Sequence, residues 1–205
     1  MDVTNPLRSL TPTVDSDVLA VLAHSHVALT GLRVQQLAGR SYGQVREVLR
    51  RLVAHGIVDA ERHGSSIAYS LNREHVLAPA IELAAAAVID VERRLRESFQ
   101  RWRPAAVAAV VFGSFARRDG GLESDIDLLI VRPEDITGDD MTWTAQRHEL
   151  VRCLERWTGN TVQVVELTST ELDDAICRRD DLVHALRRDG HVLIGPPLRA
   201  LLAPK

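Results

Sequence analysis

The stretch that decides the fold is Gly113-Ser114-Phe115-Ala116-Arg117-Arg118-Asp119-Gly120-Gly121-Leu122-Glu123-Ser124-Asp125-Ile126-Asp127-Leu128-Leu129-Ile130. Apolar Val107 to Phe112 comes just before it, so the segment reads as a strand, a turn entering a short helix, and a second strand over Asp125 to Val131. Residues two apart in a strand share a face, so Asp125 and Asp127 project together while Ile126 and Leu128 enter the core. Two adjacent carboxylates repel unless water or a cation screens them, and Mg²⁺ takes such oxygen ligands together with substrate phosphates. Upstream, Gly113 permits close backbone approach. The Ser114 hydroxyl and the first free N–H groups of the following helix are suited to phosphate oxygens.

Gly113-Ser114 and Asp125-Ile126-Asp127, ten residues apart and flanked by apolar strands, resemble the signature of the DNA polymerase β nucleotidyltransferase superfamily, most closely its minimal nucleotidyltransferases. The ending Arg188-Asp189-Gly190-His191-Val192-Leu193-Ile194-Gly195 is similar to the close of that domain, so the resemblance covers residues 104–196. It implies transfer of a nucleoside monophosphate from a nucleoside triphosphate with Mg²⁺. Asp125 and Asp127 would be the catalytic metal ligands, with Gly113, Ser114 and Ser124 binding nucleotide. In that family a third carboxylate on a later strand usually helps activate the attacking hydroxyl. Here the matching residue in Thr161-Val162-Gln163-Val164-Val165-Glu166-Leu167 is Gln163, which cannot serve as a base. Glu166 falls on the opposite face of a regular strand and would substitute only through a bulge. Arg118 stands where the family commonly has glycine.

Around this segment the element types alternate: a helix over Met141 to Trp157, a strand over Thr161 to Leu167, helical pieces over Glu171 to Arg188 and a last strand at His191 to Ile194. That order predicts a mixed sheet with helices packed on it. Toward the N-terminus, an irregular leader precedes three helical patterns. The first is capped by Asp15 or Ser16, the second spans Leu32 to Leu37 between Thr30 and Gly39, and the third spans Ser41 to His55 before Gly56. Two strands, Ile57 to Glu61 and Ile67 to Leu71, follow around a turn-rich Arg62-His63-Gly64-Ser65-Ser66. Three helices and a hairpin make up the order of a winged helix-turn-helix. One long helix, Pro79 to Trp102, then joins the halves. The expected class is α+β, with a winged helix-turn-helix over 15–74, a linking helix over 75–103 and a nucleotidyltransferase-like mixed sheet over 104–196.

With Val45, Val48, Leu49 and Leu52 inward, the third helix presents Arg46 and Arg50 outward, with Tyr42, Gln44 and Arg51 beside them; Arg62 lies at the hairpin tip. Arginines so placed can read guanine or grip phosphate, which points to DNA. A homodimer would follow, since half-site reading generally needs two copies.

The 205 residues are 45% hydrophobic and 26% charged, which excludes wholesale disorder and fibrous classes. A net charge of −3 argues against a protein coated in nucleic acid, although residues 1–74, with eight arginines against seven acidic residues, come to +1. No apolar run reaches the roughly 18 residues of a membrane span, and Met1-Asp2-Val3-Thr4 does not open a signal peptide. Cys153 and Cys177 form no redox or metal spacing, so a reducing cytoplasm is expected. Two functions remain open. One is a DNA-binding, Mg²⁺-dependent nucleotidyltransferase; the other is a transcriptional regulator whose domain of that type senses nucleotide or holds a protein partner. Gln163 divides them.

Overall fold

Thr30 and Ser41 open two helices by the same device: each hydroxyl accepts the N–H of the residue three further on, Arg33 and Gln44. The computed structural model describes residues 1–203. Its chain divides into two compact units. One runs from Thr4 to Val88 and includes Asp2; the other runs from Ile89 onward and includes Met1 and Val3.

The N-terminal unit begins with a 3₁₀ turn, Pro6–Ser9, followed by α1 (Val14–His24), β1 (Leu29–Thr30), α2 (Gly31–Ala38), α3 (Tyr42–Ala54), β2 (Val58–His63), β3 (Ser66–Leu71) and α4 (Ala78–Ala85). The strands form an antiparallel sheet in the order β1-β3-β2. Val18, Leu22, Val34, Val45, Leu49, Leu52, Val58 and Leu71 make one core, so the inward face read for the third helix is buried as spaced. The two-residue β1 was not expected from the sequence. The first helix starts at Thr13 rather than at Asp15 or Ser16, because those side chains are otherwise engaged: Asp15 pairs with Arg51, and Ser16 Oγ donates to the Thr13 carbonyl. Asp17, 3% exposed, accepts from Asn5 Nδ2, Arg8 Nε and Arg40 Nε, fastening the leader and the α2–α3 turn to α1.

The single linking helix is corrected to two. α4 stops at Ala86, whose ψ of 6° leaves the helical range, and α5 (Ala87–Gln100) starts at the next residue. Ala84 to Ala87 carry no glycine or proline, and alanine is the best helix former, so nothing in the composition announces the stop.

The second unit contains β4 (Ala108–Phe112), α6 (Gly113–Arg117), β5 (Ile126–Arg132), α7 (Met141–Thr158), β6 (Val162–Thr168), α8 (Ser169–Arg178), α9 (Asp181–Asp189), β7 (His191–Ile194) and a short α10 (Leu198–Leu201) that the sequence did not suggest. The sheet order is β6-β5-β4-β7; β5 and β6 are parallel, and the other neighbours are antiparallel. Alternation sorts the strands onto two covered faces. Ala108, Val110, Phe112, Leu129 and Val131 share a core with Leu172, Ala175 and Ile176 of α8 and Val183 and Leu186 of α9. Ala109, Val111, Leu128 and Ile130, of the other parity, are also fully buried. Asp127 has the parity of Leu129 and Val131, and so points to the face on which α9 packs.

Candidate active site and nucleic-acid face

Register sets the site. Phe112, the last residue of β4, lies opposite Asp127 on β5, so the chain leaving β4 meets that carboxylate at once. Gly113 adopts φ +71°, and a Cβ there would stand 2.1 Å from Asp127 Oδ2. Glycine is required at this position on both counts. Gly120 plays a similar part over Ser114, whose Oγ would lie 3.0 Å from an added Cβ. Ser114 Oγ is 3.5 Å from the Asp125 carbonyl, a long contact that leaves the hydroxyl weakly held. Ser124 Oγ accepts the Gly121 N–H at 2.9 Å and so closes the turn before β5.

Asp125 sits just ahead of β5 and is exposed, while Asp127 is half-buried. Neither makes an ion pair among the described residues. Burial raises the Asp127 carboxyl above its ordinary value, and the charges of Asp125 and Asp189 raise it further against the opposing pull of Arg117. A pair of carboxylates that repel in this way, with no side-chain ion pair among the described residues, suits a divalent ion. No group of three His, Cys, Asp or Glu side chains able to hold a metal is present among the described residues. The fit is therefore to an ion held by Asp125 and Asp127, with its remaining positions left to phosphate oxygens and water, as Mg²⁺ commonly accepts.

The third position has no carboxylate. Gln163 is paired with Asp127 across the parallel β5–β6 ladder, and Val165 and Leu167, two and four residues on, pack in the α8–α9 core. Gln163 thus stands on the face of Asp127, where the third acid would be. The ladder runs from Ile126 with Val162 to Arg132 with Thr168 without a shift, so no bulge reorients Glu166. Glu166 faces the other way, held by Arg132 Nε at 2.8 Å and Arg147 Nη1 at 3.0 Å. Arg118, at the position where glycine was anticipated, has φ +58°. The left-handed conformation that favours glycine is present and an arginine adopts it, so this departure leaves the turn intact.

The roles of Asp189, Arg117 and Asn160 were missed in the sequence. Gly113, read there for close backbone approach, donates its N–H to Asp189 Oδ1 at 3.2 Å. Asp189 also takes Arg117 Nη1 and Arg188 Nε, and Arg117 Nε reaches Asp119 at 2.9 Å. Burial opposes ionisation of Asp189, but the bonds from Arg117, Gly113 and Arg188 outweigh it and lower its carboxyl below the usual range. Asn160, 3% exposed, donates from Nδ2 to the carbonyls of Leu122 and Ser124, and Thr161 O accepts the Ile126 N–H. The loop entering β5 is held in place by these bonds. Asn160 and Asp189 lie far along the chain from the motif; no local pattern marks Asn160, and the segment that contains Asp189, read as the close of the domain, does not announce its bonds to Gly113 and Arg117.

On the N-terminal unit, Tyr42, Gln44, Arg46, Arg50, Arg51 and Arg62 are all exposed. They are not equally available. Arg50 forks onto Glu47, Arg51 is bound to Asp15, and Gln44 Oε1 accepts the Ser41 hydroxyl. Arg46 and Arg62 make no ion pair among the described residues.

Residues 94–188 match the family described as Polymerase beta, Nucleotidyltransferase. The match takes in the motif strands, Gln163 and α9 up to Arg188, and supports a nucleotidyltransferase-like domain in the second unit. No curated protein and no solved structure matches the chain. No helix among the described residues is long and apolar enough to cross a membrane.

Proposed function

We propose that this chain binds DNA through its N-terminal unit and transfers a nucleoside monophosphate from a nucleoside triphosphate at its second unit. The observation that carries the transfer reading is Asp127. Its half-buried carboxylate lies against Gly113 beside Asp125, raised first by burial and then by the charges of Asp125 and Asp189, and it makes no ion pair among the described residues. Magnesium, when bound, supplies the positive charge that brings triphosphate oxygens to this pair. Ser114 lends a weakly held hydroxyl to the same end of the sheet, and Ser124 keeps the turn behind it closed. Gln163 cannot remove a proton, so the acceptor hydroxyl loses its proton without a protein base at this position, and slow turnover is expected.

Gln163 also favours a second reading, in which the domain binds nucleotide as a sensor, or holds a protein partner, within a transcriptional regulator. Incubation with labelled ATP, CTP, GTP or UTP and Mg²⁺ separates the two. Label transfer or pyrophosphate release abolished by Asp125→Ala supports the enzyme. Nucleotide binding without release supports the sensor, and no binding at all removes both the enzyme and the sensor and leaves the protein-partner role.

For the N-terminal unit, the order α1-β1-α2-α3-β2-β3 with its three-stranded sheet supports a winged helix-turn-helix over residues 15–74. In this reading α3 enters the major groove, β2 and β3 form the wing, and a homodimer reads paired half-sites. A gel shift that weakens with salt tests it; no shift at low salt refutes it.

A further inference from the structure

We infer that Asp189 is a positioning residue for the nucleotide site: its buried carboxylate holds in one place both the glycine backbone against which Asp127 rests and the arginine nearest that aspartate in charge. The inference rests on the transfer-or-sensor reading above and deepens it. Asp189 ends α9, and its side chain is 3% exposed. One oxygen, Oδ1, accepts the Gly113 N–H, and the other, Oδ2, accepts from Arg117 and Arg188. Gly113 is the residue a Cβ could not occupy without striking Asp127 Oδ2. Any shift of that backbone is therefore a shift of the carboxylate lying on it. Arg117 is the guanidinium whose charge acts on Asp127. Without Asp189 it would be held by exposed Asp119 alone, through Nε at 2.9 Å, and its other nitrogens could swing onto Asp127 and neutralise the very charge a cation needs.

The chain behind Asp189 is itself fixed. A Cβ on Gly190 would meet the Leu186 carbonyl at 2.5 Å, so α9 passes into β7 by one tight path, and β7 pairs with β4, whose end is Gly113's neighbour. Asp189 and the Gly113 amide it binds thus belong to one rigid corner. A carboxylate is the one side chain that offers two acceptor oxygens here together with the charge to hold Arg117.

The test uses the full chain, Mg²⁺ and the non-transferable nucleotide α,β-methylene-ATP, measured by calorimetric titration, with hydrogen exchange read at the Gly113 amide. Asp189→Asn keeps an acceptor for Gly113 and loses the charge that holds Arg117; Asp189→Ala loses both. Expected are a Gly113 amide still protected in Asp189→Asn but exposed in Asp189→Ala, and nucleotide affinity weakened on the order of 10-fold in the first and 100-fold in the second. In the Asp189→Asn background, Arg117→Ala should restore affinity to that of Arg117→Ala alone, because an arginine that is absent cannot screen Asp127, a reversal that a merely structural role would not produce. Variants that melt like the wild type and bind as tightly overturn the inference while leaving the nucleotide site standing. A wild type that binds no nucleotide overturns the functional reading and this inference with it. If Asp189→Ala fails to fold, Asp189→Asn and its cycle with Arg117→Ala decide the matter.

Discussion

Replacing Gly113 with alanine separates backbone strain from the clash on which the site reading depends. At φ +71° any Cβ costs about 1–2 kcal/mol, less the roughly 0.4–1 kcal/mol by which alanine stiffens the unfolded chain. The added carbon would also lie 2.1 Å from Asp127 Oδ2 and 3.1 Å from its Cγ, so the carboxylate must retreat by about 1 Å. Overpacking of that kind adds about 1–3 kcal/mol. Gly159, at the end of α7 in the same unit, provides the control. Its φ is +72°, and the nearest atom to an added Cβ is Met1 N at 4.0 Å, so Gly159→Ala carries the strain alone. At about 4 °C per kcal/mol for a unit near 100 residues, Gly113→Ala should melt roughly 4–12 °C below Gly159→Ala. Calorimetry is the assay, because two units can unfold in two transitions and only the shared one counts. Displacing Asp127 by 1 Å should also weaken Mg²⁺-nucleotide binding about 100-fold, with Gly159→Ala unchanged. If the two variants melt together and bind nucleotide alike, Asp127 does not rest on Gly113 and the geometry of the site is wrong.

Asp127→Asn should raise the melting temperature of the metal-free protein at pH 8. The raised carboxyl favours the fold only when protonated, so its contribution is present below the ordinary carboxylate value of 3.8 and lost as pH rises through the higher folded value; the variant's advantage should vanish by about pH 3. Asp17 behaves oppositely. Although burial opposes it, the bonds from Arg40, Arg8 and Asn5 lower its carboxyl, so its contribution holds above 3.8 and fades as pH falls through the depressed value. Asp17→Asn should therefore cost about 2–3 kcal/mol at pH 7 in a melting experiment and progressively less in acid. On the proposed DNA face, Arg46→Ala should weaken a gel shift several-fold and reduce its salt dependence, more than Arg50→Ala, because Arg50 already faces Glu47. Equal losses, or none from Arg46→Ala, would argue against α3 as the groove helix.

Much of this fold was legible because its signals are local. Thr30, Ser41, Gly39 and Gly56 mark helix ends through one side-chain bond or one backbone angle, and the period of Val45, Val48, Leu49 and Leu52 needs no distant partner. The same holds for Gly113 and the Asp125–Asp127 spacing. What stayed hidden depended on residues distant in sequence. Asp189 is 76 residues from the amide it binds, Asn160 is 36 residues from Ser124, and Asp17 collects Asn5, Arg8 and Arg40 from both sides. The break at Ala86 was hidden for the contrary reason, since alanine propagates a helical pattern whether or not the helix continues. Gln163 was placed from the sequence, and the even β5–β6 ladder explains why: a regular parallel strand keeps parity, so counting residues along it was sufficient.

That ladder has a further consequence. The pairing of Phe112 with Asp127, and of Asp127 with Gln163, ties three points of the chain into a single row across the sheet. A deletion within β5 or β6 would turn every residue beyond it upside down, sending an acid into the hydrocarbon interior and a valine into the cleft. The stretch over residues 133–140, beyond the far end of β5, is under no such parity rule. Length changes accumulated by relatives of this chain are therefore expected to collect there, away from the ten-residue interval that spaces the serine from the aspartates.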